Sequence, residues 1–226
     1  MTDPADINYM TIVREPLAHY LSYYYFFVQP NKMMSVDEYL LMPNIPNRLT
    51  NPLAAEFGIY TMEALDYFID FQLPRFKLVL LTENVDEGLV LLARVLNWDL
   101  IDLTYAKMLV SKTGATRWDG KPLQQAPAFS ELDTTTQKAI QRLTVLDTKL
   151  HQAVLRHYAE VKAQYRKYLA QDLRDFRELQ RVMQRYLAEA NGTHAGEWYT
   201  PTSDYYFYNA DSTLWWKAEY DPPIPF

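Results

Sequence analysis

Arg14 and Ser22 are the two residues whose types and spacing best fit a shared chemistry. The run Thr11-Ile-Val-Arg14-Glu-Pro16-Leu-Ala-His-Tyr-Leu-Ser22 puts a guanidinium where an apolar stretch ends and a hydroxyl eight positions on. Arginine offers a planar fork of donors to an oxyanion. A helix that begins between the two residues adds unpaired N–H groups and a partial positive charge. A serine one or two turns into it adds a hydroxyl donor. Together they form a compact phosphate-binding corner that needs no basic protein around it. The structural alternative is that both residues simply serve a helix start. His19 lies between them and is read as a helix-surface or packed histidine rather than a base.

The elements that must position this corner follow from the apolar pattern. Tyr9-Met-Thr-Ile-Val13 reads as a buried strand, and Pro16 suits the first turn of the helix carried by the periodic run Leu17 to Val28. Pro30-Asn31 ends that run, and Ser35-Val-Asp-Glu38 has the form of a capping box opening a short helix to Met42. Pro43 to Pro52, with three prolines and three asparagines, reads as loop. Tyr60 to Phe71 is expected to be helical, with Pro74 as its stop. Phe76-Lys-Leu-Val-Leu-Leu81 is the second strand, ending at Thr82-Glu83, where α/β sites gather. Val85 to Trp98 carries an apolar stripe at Leu89, Leu92, Val95 and Leu96.

Two strand–turn–helix units with apolar strands predict a parallel sheet in an α/β domain. Ser111 to Phe129 reads as loop. From Glu131 one long, locally basic helix is expected, closed by Asn191-Gly192. The division expected is an α/β part over 1–130, a helical arm of the same domain over 131–190, and an aromatic-rich tail over 191–226.

Composition narrows the classes. With 226 residues, 49% of them apolar, the chain has enough material for one domain with a helical extension. It contains no cysteine, which excludes disulfides, thiolate metal sites and cysteine nucleophiles. The net charge of −6 argues against nucleic acid as a partner. No run approaches 18 apolar residues, and Met1 to Asn8 lacks the basic start and apolar stretch of a signal peptide.

Arg14-Glu-Pro16 followed by Ser22, after a strand, resembles the 3′-phosphate-binding motif of sulfotransferases that use 3′-phosphoadenosine 5′-phosphosulfate (PAPS). Two further blocks resemble the galactose-3-O-sulfotransferase family, which includes galactosylceramide sulfotransferase. One runs from Phe76 through Glu83, Asp86-Glu87, Arg94 and Trp98-Asp99 to Tyr105. The other is Leu143-Thr-Val-Leu146-Asp147-Thr-Lys-Leu150, similar to a Leu-Asp-x-x-Leu-Tyr helix of that family. In order, the blocks span residues 9 to about 165.

The resemblance implies a three-layer, P-loop-like domain around a parallel sheet. It implies PAPS as co-substrate without a metal, and sulfate transfer to the 3-hydroxyl of galactose on a glycolipid or glycoprotein glycan. It also implies a membrane-anchored parent in the Golgi lumen, possible homo-oligomers, and Arg14 and Ser22 as ligands of the 3′-phosphate.

The chain departs from the family pattern in places. His151 stands where the family block has tyrosine, and Gly88 where a serine is expected. The Gly- and Lys-rich loop that holds the 5′-phosphosulfate has no counterpart here, so the N-terminal strands are expected to be missing and the chain alone inactive. Lys112, Arg117 and Lys121 with Trp118 form a basic loop suited to cover a phosphate or stack on a ring. Asn191-Gly-Thr193 is a glycosylation sequon. The rival reading is a non-catalytic derivative that acts as a helical binding or scaffolding protein.

Overall fold

The computed structural model describes residues 9–42, 48–105, 120, 124–194, 207–208 and 214–215, with side chains described up to residue 185. The chain divides into two compact units, Met1–Arg181 and Val182–Phe226. In the second, β3 (Phe207–Tyr208) and β4 (Leu214–Trp215) pair antiparallel.

The first unit is built on two parallel strands. β1 (Tyr9–Val13) pairs β2 (Phe76–Leu81) from Met10↔Leu78 to Val13↔Leu81. In β2 the last four residues, Leu78 to Leu81, are all buried, the continuous apolar run of a strand covered on both faces. In β1 only Val13 is buried, and Ile12 is 50% exposed. β2 is therefore the core strand of the pair. The sheet is small and the unit mostly helical, which is compatible with an α/β domain.

After β1, α1 (Pro16–Tyr23) continues into a π-helical turn at Tyr24–Val28 and then α2 (Gln29–Lys32). The expected single helix over Leu17 to Val28 is thus widened within its aromatic stretch. α3 (Val36–Leu41) starts at the capping box read from sequence: Glu38 N–H donates to the Ser35 hydroxyl and Ser35 N–H to the Glu38 carboxylate. α4 (Pro52–Glu56) begins at the proline that closes the segment expected to be loop. α5 (Met62–Tyr67) likewise runs into a π-helical turn, Phe68–Gln72. α6 (Val85–Leu96) follows β2, and packs so closely that a Cβ on Gly88 would lie 3.2 Å from Leu80 Cδ2.

The long helix expected from Glu131 is two helices, α7 (Thr134–Leu143) and α8 (Val145–His194), broken at Thr144. The cause lies some 90 residues upstream. Asn51, in the left-handed region, donates its N–H to the Leu143 carbonyl (2.7 Å), and its side-chain oxygen accepts from Leu146 N–H (2.8 Å). In return the Asp147 carboxylate accepts from Ala54 N–H (2.8 Å) and Leu53 N–H (3.3 Å), capping α4. Each helix start is satisfied by the other's residue, which offsets the broken ladder. The C-terminal limit also differs: α8 passes through Asn191-Gly192 to His194.

Asp147 is buried, and that burial pushes its carboxyl up to about 6, against the two N–H donors that favour the anion. An unfolded aspartate titrates near ~3.9. The folded chain therefore holds this proton more tightly than the unfolded one. The associated stability is full below about pH 4 and is lost as pH rises through about 6. Wild type should lose stability relative to Asp147→Asn across that window. Urea melts of both proteins from pH 4 to 7 check this, and parallel pH profiles would contradict it.

α6 is fastened to α8 by polar pairs as well as by the core. Arg94 grips Asp172 through two bonds of 2.7 and 2.6 Å, while Lys162 and the Tyr158 hydroxyl both reach Glu87 (2.9 and 3.0 Å). The main core joins β2, α4, α5, α6 and α8 through residues such as Leu65, Leu78, Leu91, Leu150 and Phe176. A second cluster around Tyr20, Tyr24, Val36, Tyr39 and Ile140 joins α1, α3 and α7.

Candidate functional site

The parallel pair places the ends of β1 and β2 side by side, so Arg14 and Glu15 lie next to Thr82 and Glu83. In open α/β sheets this carboxyl edge is where ligands bind. Glu83 Oε1 accepts from the Glu15 N–H (2.5 Å) and from the Thr82 hydroxyl (3.0 Å). Partial burial would raise the Glu83 carboxyl, but these donors, with His151 nearby, hold it below the usual carboxylate range. Glu83 thus pins the turn that carries Arg14 to the end of β2.

Glu15 is the N-cap of α1. Its two carboxylate oxygens accept from Leu17 N–H (3.1 Å) and Ala18 N–H (2.8 Å). The helix-start donors that the sequence offers to an anion are therefore already occupied by the chain's own carboxylate. Glutamate is an unusual cap. Its longer side chain folds back over a first turn whose backbone Pro16 preorganises.

The guanidinium of Arg14 is exposed and makes no hydrogen bond or ion pair among the described residues. It lines a cavity of about 630 Å³ with Glu15, Ala18 and Leu21 on one wall and the segment from Gln125 to Phe129, with Glu131, on the other. That volume lies within the roughly 300–1,000 Å³ of small-molecule sites. The far wall is held in place: Gln137 Nε2 donates to the Phe129 and Leu132 carbonyls (3.2 and 2.9 Å), and Ala128 N–H donates to Glu131 (2.8 Å).

Ser22 is half-buried on α1, one turn beyond Ala18 on the same side, and its hydroxyl has no partner among the described residues. It is not among the residues lining the cavity.

His19 packs beneath this turn with Nε2 3.4 Å from Glu56 Oε1. Burial lowers its pKa and Glu56 opposes that, while the Arg14 charge adds to the lowering. His151 on α8 faces Glu83 and Glu15. Its Nε2 is buried without a hydrogen-bond partner among the described residues, and burial lowers its pKa against the pull of the two carboxylates. Among the described residues no group of three His, Cys, Asp or Glu is placed to hold a metal ion. Lys112, Arg117, Trp118 and Lys121 lie outside the described residues, as do the side chains of the 191–193 sequon.

Sequence reasoning did not find the capping role of Glu15 or the cavity wall from Gln125 to Glu131. The Glu-Pro pair at the helix start is the signal for the first. The second is a contact between segments more than 100 positions apart and leaves no local trace.

The second strand–helix unit and the helical arm lie in the part of the chain that is similar to the sulfotransferases. The family model described as Galactose-3-O-sulfotransferase matches residues 68–195, more than half of the chain, and the chain belongs to that family. The matched interval holds β2, α6, α7 and α8, and begins after the Arg14–Ser22 corner. The chain is also similar to Galactose-3-O-sulfotransferase 3 of Mus musculus, 31% identical over 132 residues. That alignment covers 46% of this chain and 29% of the relative, so the chain spans less than a third of that protein's length. No solved structure matches it. No helix among the described residues is long and apolar enough to cross a membrane.

Proposed function

We propose that this chain forms part of a PAPS-dependent sulfotransferase that transfers sulfate to the 3-hydroxyl of a terminal galactose in a glycolipid or glycoprotein. In this reading the first unit is part of a three-layer, P-loop-like domain, and the parent acts in the Golgi lumen. Family membership supports the reaction class. The observation that carries the site is the Arg14 guanidinium, unpaired among the described residues, on a cavity wall at the carboxyl edge of the parallel pair.

In the transfer, the sugar oxygen bonds to sulfur as the bond from sulfur to the 5′-phosphate oxygen breaks. That oxygen keeps the electron pair and the hydroxyl proton passes to a base. Arg14 takes no part in that bond change. It holds the nucleotide by its 3′-phosphate, at a distance from the sulfur, and supplies orientation. Glu83 is a positioning residue, fixing the turn from which Arg14 projects. The Ser22 hydroxyl, one turn beyond the cavity-lining Ala18 and without a partner among the described residues, is the second expected donor to the phosphate.

One observation favours the rival, a non-catalytic binding protein. Among the described lining residues Arg14 is the lone cation, against the carboxylates of Glu15 and Glu131. Thermal melts with adenosine 3′,5′-bisphosphate, the nucleotide product, separate the two readings. A site filled at about 100 times Kd stabilises a protein by about 2.7 kcal/mol, which shifts its melting point by several degrees. The sulfotransferase reading predicts that shift. An unchanged melting point at millimolar nucleotide overturns it and leaves the binding protein.

A further inference from the structure

The charged lining of the Arg14 cavity is unbalanced in a specific way. Both carboxylates are tied to backbone donors: Glu15 to the N–H groups of Leu17 and Ala18, and Glu131 to that of Ala128. The guanidinium is tied to nothing among the described residues. An anion entering the cavity meets one free cation and, on the adjoining residue, a fixed negative charge. The backbone of that residue is itself clamped, since Glu15 N–H donates to Glu83.

We propose that Glu15 is an affinity-limiting residue of the nucleotide site, opposing the 3′-phosphate that Arg14 attracts. This rests on the nucleotide reading given above. Two features carry it. The carboxylate lines the same cavity as Arg14 and is held there by two hydrogen bonds, so it stays when ligand arrives. Those same bonds consume the first-turn donors that would otherwise stabilise the anion, so the phosphate gains nothing there to offset the repulsion.

The consequence for a transferase is direct. The 3′-phosphate is common to the sulfate donor and to the spent nucleotide, so Glu15 weakens both alike. Weaker uniform binding leaves the chemical barrier unchanged and speeds product departure.

The test uses Glu15→Asn and Glu15→Ser, two neutral residues that are themselves good helix caps. Adenosine 3′,5′-bisphosphate is titrated calorimetrically into wild type and both variants at low and high salt. Both variants should bind 3- to 30-fold more tightly than wild type, with the gain shrinking as salt is added. A purely structural cap predicts no gain, because a neutral cap of equal or better strength leaves the helix start, and hence the binding, as it was. Unchanged or weaker binding in both variants, with wild type still binding, overturns this inference alone. No binding by wild type removes the nucleotide reading as well. Loss of the folded state in both variants marks Glu15 as a structural cap and also overturns the proposal.

Discussion

Phe176→Ala should destabilise the first unit by about 3–5 kcal/mol, the range for deleting a fully buried aromatic ring. Phe176 is fully buried in the main core, 31 residues into α8. Neighbouring α8 positions are open to solvent, so the helix stays docked this far along only because a few apolar residues reach the core. Truncation there removes the ring's transfer free energy and leaves a cavity that the long helix cannot easily close. Leu155, 42% exposed on the same helix, is the control, and Leu155→Ala should change stability by less than about 1 kcal/mol. Urea denaturation of the two variants decides the matter. A loss below about 1 kcal/mol for Phe176→Ala would mean that this stretch of α8 does not rest on the core.

The second large effect concerns binding. Arg14→Ala should reduce affinity for adenosine 3′,5′-bisphosphate by about 10- to 100-fold, the loss expected when a charge-assisted bidentate contact worth about 1.5–3 kcal/mol disappears. The side chain is exposed and has no partner among the described residues, so its removal should leave the melting point of the free chain nearly unchanged. That combination, a large loss in affinity with little loss in stability, separates a ligand-binding arginine from one that starts a helix. Arg14→Lys keeps the charge but not the fork, and should recover only part of the loss.

Features set by neighbours in the chain were legible in the sequence. The apolar run Phe76–Leu81 forms a strand with those same ends, the Ser35–Glu38 box caps its helix, and the stripe at Leu89, Leu92 and Val95 belongs to α6. What escaped depends on distant partners. The break at Thr144 coincides with hydrogen bonds from some 90 positions away, Asn51 to Leu143 and Leu146 and Asp147 to Leu53 and Ala54, and the local sequence there reads as uninterrupted helix. The π-helical turns at Tyr24–Val28 and Phe68–Gln72 fall where bulky aromatics are consecutive or closely spaced, and an apolar period near 3.6 does not distinguish a widened turn from a regular one.

At the site, the strand-end position of Arg14 was readable. The fact that Glu15 occupies the first-turn donors was not, because glutamate ranks low among caps and Glu83, which clamps it, lies 68 residues away.

The most direct test of the account is a four-point calorimetric cycle with wild type and Arg14→Ala, each titrated with adenosine 3′,5′-bisphosphate and with adenosine 5′-monophosphate. The two ligands differ only in the 3′-phosphate. The account predicts that wild type prefers the bisphosphate by about 10- to 100-fold and that the preference largely vanishes in the variant, as one bidentate phosphate contact requires. Equal preference in both proteins would show that Arg14 does not hold that phosphate, and would contradict the assignment of this corner.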